Sequence, residues 1–170
     1  MHLTFAPDSN AQEAPESSRR DAPGAPFPPL LQFLLGFIGG VMLDALLGGT
    51  SSISGTAAIL GVLFTTAGVA LFAWGLWTFA AARTGILLQR PASLLVTHGP
   101  YRWTRNPMYV GCVLIHVGIA LAIDATWALL PLPAVIWLVT RTVIEREERY
   151  MRRRFAGVYV AYCARVGRWI

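Results

Sequence analysis

Cationic, aromatic and helix-capping residues are concentrated in one short segment, His98-Gly-Pro-Tyr-Arg-Trp-Thr-Arg-Asn-Pro-Met-Tyr-Val-Gly111. Asn106 followed by Pro107 is typical of a helix start, with Asn at the N-cap and Pro at the first helical position. The free N–H groups and the dipole of such a helix end favour an anion. Arg102 and Arg105, just upstream, strengthen that preference. The segment therefore indicates either a cradle for a carboxylate or phosphate, or an ordinary helix start whose arginines face lipid headgroups.

A second polar segment, residues 141–154, contains the acids of the C-terminal region. The i, i+4 spacing pairs opposite charges along a helix: Arg141 with Glu145, Glu145 with Arg149, and Glu148 with Arg152. These pairs predict a solvated face for Glu145 and Glu148. Glu147 does not belong to this solvated face, because helical spacing places it on the apolar side of the helix. A carboxylate there needs a partner or a ligand, and Arg154 is one possible structural partner.

Three further groups are candidates with less support. The aromatic residues of the C-terminal helix recur at i, i+4, i+7 and i+14: Phe155, Tyr159, Tyr162 and Trp169. Such a stripe predicts anchoring at the membrane interface, or a lid over a bound cofactor. His116 is an ionisable residue within an apolar run, either functional or neutral and bonded to a neighbouring helix. Cys112 is expected to pack, and the two cysteines show no spacing typical of a metal site.

The elements that position these residues are apolar. Of the 170 residues, 55% are hydrophobic, and Asp44 is the one charged residue between positions 30 and 82. Asp124 is likewise the one charged residue between positions 106 and 140. Runs of this length are typical of membrane spans and exclude a soluble globular domain. All 14 cations are Arg, which excludes lysine chemistry, and most lie beside a span, which argues against nucleic-acid binding.

The pattern predicts an all-α membrane protein with about four transmembrane helices in two hairpins and a cytoplasmic C-terminal helix. The predicted spans are residues 30–47, 56–82, 107–123 and 126–143. Residues 1–29 form a Pro-rich tail expected to be disordered. Residues 30–82 form a hairpin with a packing role, in which Gly61, Gly68 and Gly75 predict tight packing within that hairpin. Residues 83–170 form the half that carries the chemistry.

Arginine also predicts the orientation. Eight Arg lie between positions 141 and 168, whereas the two outer turns carry none. Because basic residues accumulate on the cytoplasmic side, both termini are expected in the cytoplasm. The small size favours a prokaryotic inner membrane.

Two separated motifs resemble the signatures of integral-membrane methyltransferases, which include isoprenylcysteine carboxyl methyltransferases and phospholipid N-methyltransferases. The first is Gly99-Pro100-Tyr101-Arg102-x-x-Arg105-Asn106-Pro107-Met108-Tyr109-x-Gly111. The second is Glu147-Glu148 followed by Phe155, Tyr159, Tyr162, Val166 and Arg168. The resemblance covers about residues 94–169. Asn106 stands where the isoprenylcysteine branch usually has His, whereas the phospholipid branch often has Asn-Pro-Met-Tyr, and Ala156 stands where Gly is usual.

The resemblance implies S-adenosylmethionine as methyl donor. The implied donor-binding residues are Gly99, Pro100, Tyr101, Asn106, Pro107, Tyr109, Glu147, Glu148, Tyr159 and Tyr162. Arg105 and Glu147 are the implied catalytic residues. A Glu can take the donor's ammonium or ribose hydroxyls, Tyr faces can hold its sulfonium, and an Arg or helix N-terminus can take its carboxylate. No Gly-rich nucleotide-binding turn is present.

The expected partners are the lipid bilayer and a lipophilic methyl acceptor, and the sequence leaves the oligomeric state open. The resemblance favours an acceptor of the isoprenylcysteine carboxylate type, because the whole framework from Gly-Pro-Tyr-Arg to Tyr-x-x-Tyr matches that group of methyltransferases. A phospholipid, small amine or thiol acceptor is the alternative within the same chemistry. A non-catalytic membrane scaffold, with its arginines used only for topology, is the alternative of another class.

Overall fold

The computed structural model describes residues 28–49, 55–82 and 94–170, and within these residues the chain is helical without β-strands. The α-helices are α1 (Pro29–Leu47), α2 (Gly55–Ala81), α3 (Pro107–Ala122), α4 (Leu132–Val139) and α5 (Glu145–Cys163). Short 3₁₀ helices cover Gly99–Arg102 and Thr126–Leu129, and a π-helical turn covers Thr140–Ile144. The predicted disordered tail, most of the first hairpin's turn and the start of the second half (residues 1–27, 50–54 and 83–93) lie outside the described residues.

The prediction of an all-α chain with membrane spans is confirmed for these residues. Three helical segments are long and apolar enough to cross a membrane: Pro29–Leu47, Gly55–Ala81 and Thr126–Cys163. Pro107–Ala122 is apolar but has 16 residues, about 24 Å at 1.5 Å per residue, which is shorter than a typical hydrocarbon core. A fourth span and the N-in, C-in orientation therefore stay predictions.

Proline and glycine set helix ends where the sequence places them. Pro29 stands in the first turn of α1, and Gly48 ends that helix in the left-handed conformation with φ 78°. Pro107 likewise begins α3 directly after Asn106, as predicted. Proline lacks the N–H that a first turn leaves unbonded, and glycine adopts positive φ without a steric penalty.

The small-residue stripe of α2 packs against α3, so the prediction that it packs within the first hairpin was wrong. A Cβ atom on Gly68 would lie 2.7 Å from the carbonyl oxygen of Gly111, and one on Gly61 would lie 2.7 Å from that of Gly118. At the other end of the stripe, Gly75 lies against Met108. Helices associate in lipid through such close backbone approach, so this contact fixes α3, which carries part of the candidate site.

The other helix of the first hairpin packs against the second half as well. Gly40 of α1 lies against the backbone of Ala128, at the 3₁₀ helix that precedes α4. The Asp44 carboxylate accepts a hydrogen bond from the backbone N–H of Trp127 at 3.1 Å. At the opposite end of α1, the Gln32 amide donates to the Thr142 hydroxyl at 3.2 Å. The two hairpins are therefore joined helix to helix.

Two irregularities set which side chains of α5 face inward. The π-helical turn Thr140–Ile144 inserts an extra residue into the helix, which rotates everything after it by roughly 100° relative to a continuous α-helix. Within α5, Ala156 has φ 42° and ψ −121°, so the helix bends there. The buried face of α5 consists of Glu148, Phe155, Tyr159 and Tyr162.

The backbone of Ala156 predicts a stabilising substitution. Positive φ strains a residue with a Cβ atom by about 1–3 kcal/mol, whereas glycine loses about 0.5–1 kcal/mol of chain entropy on folding. We therefore expect Ala156→Gly to raise the thermal unfolding midpoint of the detergent-purified protein by a few degrees. Ala161→Gly, the same substitution at an exposed position of α5 with helical backbone angles, is the matched control and should lower the midpoint. A lower midpoint for Ala156→Gly would contradict the strained conformation.

Candidate functional site

The C-terminal segment, residues 164–170, runs back from the end of α5 to the start of α3. Thr104 and Gly167 form an isolated parallel bridge, and the backbone N–H of Arg105 donates to the Gly167 carbonyl at 3.0 Å. The Asn106 side-chain amide donates to the Arg168 carbonyl at 2.9 Å. Asn106 occupies the N-cap position but makes no capping bond with its side chain, so its predicted capping role was wrong. Its amide instead joins the two sequence motifs.

Glu148 is buried between two arginines. Its side chain accepts two hydrogen bonds from Arg168, Nη2 to Oε2 at 2.7 Å and Nε to Oε1 at 2.9 Å. Arg105 Nη1 lies 3.1 Å from Oε1 of the same carboxylate. Glu148 is 6% exposed, so the prediction that it lies on a solvated face with Arg152 was wrong. The predicted pair of Arg141 with Glu145 is present, at 3.1 Å on the surface.

Glu147 is the acid left without a cation. Its Oε1 accepts a hydrogen bond from the Tyr109 hydroxyl at 3.1 Å, and the described part of the chain holds no ion pair to it. Tyr109 stands in the first turn of α3, and Glu147 in the first turn of α5. The predicted need of Glu147 for a partner or ligand is met on one oxygen by a neutral hydroxyl, so its charge stays uncompensated.

Tyr101 brings a third polar group to this place. Its side chain is 5% exposed, and its hydroxyl has no hydrogen-bond partner within the described residues. Burial raises the pKa of Tyr101 far above its ordinary value, and nearby Tyr162 and the Glu147 carboxylate raise it further. The hydroxyl therefore stays protonated, and it lies near enough to Glu147 to interact with its charge. Buried Nε of Arg105 is a second donor without an acceptor in the described structure.

The structure divides the predicted donor-binding residues into two groups. Tyr101, Tyr109 and Glu147 form one group: the Tyr109 hydroxyl bonds Glu147, and Tyr101 is near enough to interact with the same carboxylate. The remaining predicted residues build the surrounding frame. The Tyr162 hydroxyl donates to the Tyr101 carbonyl at 2.6 Å, Tyr159 packs with Phe155 and Leu95, Pro100 and Pro107 are buried, and Gly99 adopts φ 60° against Thr78. That any of them contacts a methyl donor stays a prediction.

Sequence reasoning assigned no role to Arg168, Thr104 or Gly167, although they hold the site together. The Val-x-Arg ending of the second motif was a signal for Arg168. Glu148 could also have been placed inward, because it lies seven residues before Phe155 and thus on the aromatic face of α5.

His116 and Cys112 belong to the packing of the spans. The His116 ring nitrogen Nε2 lies 2.9 Å from the carbonyl oxygen of Ala128, and the ring packs edge-on against Phe37. A carbonyl only accepts, so Nε2 carries the proton. The interpretation of His116 as a neutral group bonded to a neighbouring helix is confirmed. Cys112 is buried in the apolar core, as expected.

The comparison with known proteins gives one match. A family model described as phospholipid methyltransferase matches residues 56–157, which is more than half of the chain. The matched region begins with α2 and includes the segment with Tyr101 and Tyr109 as well as Glu147 and Glu148 of α5. The C-terminal segment with Arg168 lies beyond it. No curated protein and no solved structure matches the chain.

The buried Glu148 and the more exposed Glu145 should differ in how much each contributes to the stability of the fold. Glu148→Gln leaves two guanidinium groups around a neutral amide, and breaking a buried pair in this way costs about 3 kcal/mol. We expect a clearly lower thermal unfolding midpoint for that variant in detergent. Glu145→Gln is the control, because it loses a surface pair worth less than about 1 kcal/mol. Equal midpoints for the two variants would show that the buried cluster contributes nothing to the fold.

Proposed function

Because the chain belongs to the phospholipid methyltransferase family, we propose that this membrane methyltransferase uses S-adenosylmethionine and methylates the amine of a lipid acceptor. The observation that carries the proposal is the uncompensated Glu147 carboxylate, oriented by Tyr109 beside the unpartnered Tyr101 hydroxyl. Fixed groups of this kind recognise a cationic ligand.

The chemistry of the donor fits these groups. S-adenosylmethionine supplies an electrophilic methyl group on a sulfonium, and its amino-acid end carries an ammonium and a carboxylate. Glu147 would hold the ammonium or the ribose hydroxyls, and Nε of Arg105 would donate to the carboxylate. The aromatic faces of Tyr101 and Tyr109 suit the sulfonium. Arg105 Nε, a buried donor that lacks an acceptor in the described structure, would thereby gain a partner.

The acceptor amine is protonated in water, so it would first release its proton to solvent; its nitrogen would then bond to the methyl carbon as the carbon–sulfur bond of the donor breaks and S-adenosylhomocysteine leaves. This step needs orientation more than covalent help from the protein. Fixing two reactants in line is worth about 7–11 kcal/mol of the barrier. The chain contributes rigid groups: the Tyr101 backbone is tied to Tyr162, and the Tyr109 hydroxyl fixes one oxygen of Glu147. Burial of Tyr101 keeps water from this side of the site.

The charges of the cluster favour an amine over a carboxylate acceptor. A carboxylate of the isoprenylcysteine type needs a cation to position it, and the sequence offered Arg105 for that role. Arg105 and Arg168 both pair with Glu148, so part of each guanidinium is already engaged and is not free to bind an acceptor carboxylate. The family description also names phospholipids. The isoprenylcysteine-type acceptor is the competing candidate, supported by the Gly-Pro-Tyr-Arg to Tyr-x-x-Tyr framework.

The location of the site on the cytoplasmic side is part of the proposal. Eight Arg follow position 140, so the C-terminal helix and the site that it covers belong in the cytoplasm, where the donor is made. A prokaryotic inner membrane is the proposed location.

Glu147→Gln should weaken donor binding strongly without unfolding the protein. We expect saturable binding of S-adenosylhomocysteine to the detergent-purified wild type, and at least about tenfold weaker binding to the variant, because a charged hydrogen bond is lost. Glu145→Gln, on the exposed face of the same helix, should bind like wild type. If the variant still bound S-adenosylhomocysteine but no longer transferred methyl groups, Glu147 would act on the acceptor and not on the donor. No binding by folded wild type would favour the non-catalytic scaffold.

The stability of the product to alkali should identify the acceptor class. Membranes containing the protein are incubated with methyl-tritiated S-adenosylmethionine, and the lipid extract is treated with mild alkali. A methylated amine keeps its label in non-volatile form, whereas a methyl ester releases volatile methanol. We expect the label to stay non-volatile. Release as methanol would contradict the amine acceptor and support the isoprenylcysteine-type carboxylate.

A further inference from the structure

Arg102 differs from the other arginines around the site. It directly follows Tyr101 on the 3₁₀ turn, its side chain is exposed, and its guanidinium carbon lies 4.4 Å from the centre of the Trp103 ring. Arg105 and Arg168 pair with Glu148, but Arg102 forms no ion pair with any described residue. It is a cation fixed by stacking and left unneutralised at the rim of the site.

Trp103 is itself held in place from α2. Its ring meets the ring of Trp74 edge-on, with centroids 5.5 Å apart at 76°. The two rings and Arg102 thus form one platform, the Arg102–Trp103–Trp74 platform, built from two elements of the chain. Stacking covers one face of the guanidinium and leaves its N–H edge free to bind a planar pair of oxygens.

We expect the platform to lie near one membrane surface. Helix α2 has 27 residues, about 40 Å at 1.5 Å per residue, whereas the hydrocarbon core is about 30 Å thick, so an end of α2 reaches the interface. Trp74 and the 74%-exposed Trp77 stand towards its C-terminal end, and tryptophan accumulates at the membrane interface. An exposed arginine stacked there would meet phosphate oxygens.

We propose that the Arg102–Trp103–Trp74 platform binds the phosphate of the phospholipid whose amine is methylated. The 3₁₀ turn places two functions on neighbouring residues: Tyr101 belongs to the proposed donor site, and Arg102 carries a cation that no described residue pairs with. A headgroup whose phosphate binds Arg102 has its amine close to Tyr101, where the methyl group of the donor would lie. The inference rests on the proposed function for the amine, and it makes Arg102 a determinant of acceptor specificity.

Methyl transfer to two acceptors tests the specificity. The purified full chain in mixed micelles is given either dioleoyl phosphatidylethanolamine or oleylamine, a primary amine without phosphate. Arg102→Gln should lower the preference for the phospholipid, as the ratio of kcat/KM values, about tenfold or more through KM. Arg102→Lys should fall between, because Lys keeps the charge but loses the planar fork. Arg153→Gln, an exposed arginine of α5, should keep the wild-type preference.

A binding measurement tests the same platform without catalysis. Dihexanoyl phosphatidylethanolamine should raise the thermal unfolding midpoint of the wild type, because a ligand of the folded state stabilises it. Arg102→Gln should need about tenfold more of this lipid for the same rise. Dihexanoylglycerol, which lacks the phosphate, should show no difference between wild type and variant.

Each contrary outcome overturns a distinct statement. An unchanged preference and an unchanged lipid titration in Arg102→Gln would make the platform an interfacial anchor only. Equal loss with both acceptors would also reject phosphate recognition. Stabilisation by inorganic phosphate as strong as that by the lipid would assign the platform to a soluble anion. If the wild type methylates neither acceptor, the proposed function fails, while the binding measurement still decides what Arg102 recognises.

Discussion

The buried carboxylate of Glu148 is the constraint on which the arrangement of the site depends. A buried ion costs several kcal/mol in lost hydration unless charge and hydrogen bonds compensate it. Here the compensation comes from two places far apart in the chain: Arg105, just before α3, and Arg168, in the C-terminal segment. If either segment moved away, the buried carboxylate would lose one of its two guanidinium partners. The C-terminal segment is therefore held against the start of α3, and the backbone hydrogen bond from Arg105 to Gly167 strengthens the contact.

Glu148 pairs with both arginines of the site, and the adjacent acid has a different environment. Neighbouring residues on a helix point about 100° apart, so Glu147 points away from the two arginines and meets Tyr109 instead. Among the described residues no cation pairs with Glu147. The donor site proposed beside it would therefore work without the nucleotide-binding sheet of soluble folds.

The membrane part of the chain contributes position rather than chemistry. In lipid there is no hydrophobic force between helices, so close backbone contact decides which helices associate. Gly68 against Gly111 brings α2 onto α3, and Gly40 against Ala128 brings α1 onto the fourth apolar segment. These contacts join the first hairpin to the second. Helix α2 therefore helps to hold Tyr109, because Tyr109 belongs to α3, on which α2 packs. The same α2 also supplies Trp74, the support of the exposed Trp103.

The sequence by itself determined the helical, membrane-bound class, because unbroken apolar runs have no other stable state. It determined the start of α3, because Asn-Pro leaves few alternatives. It also singled out Glu147, because an acid on an apolar helix face requires a partner. Only the tertiary structure decided how the faces of α5 are turned relative to α4, because the π-helical turn between them shifts the register that a regular helical spacing assumes. The tertiary structure likewise decided that the glycines of α2 contact α3. A stripe of small residues predicts that a helix packs closely, but it does not predict which helix is the neighbour. The partners of Glu148 lie 43 positions before it and 20 after it (148 − 105 and 168 − 148), and no local pattern encodes such a contact.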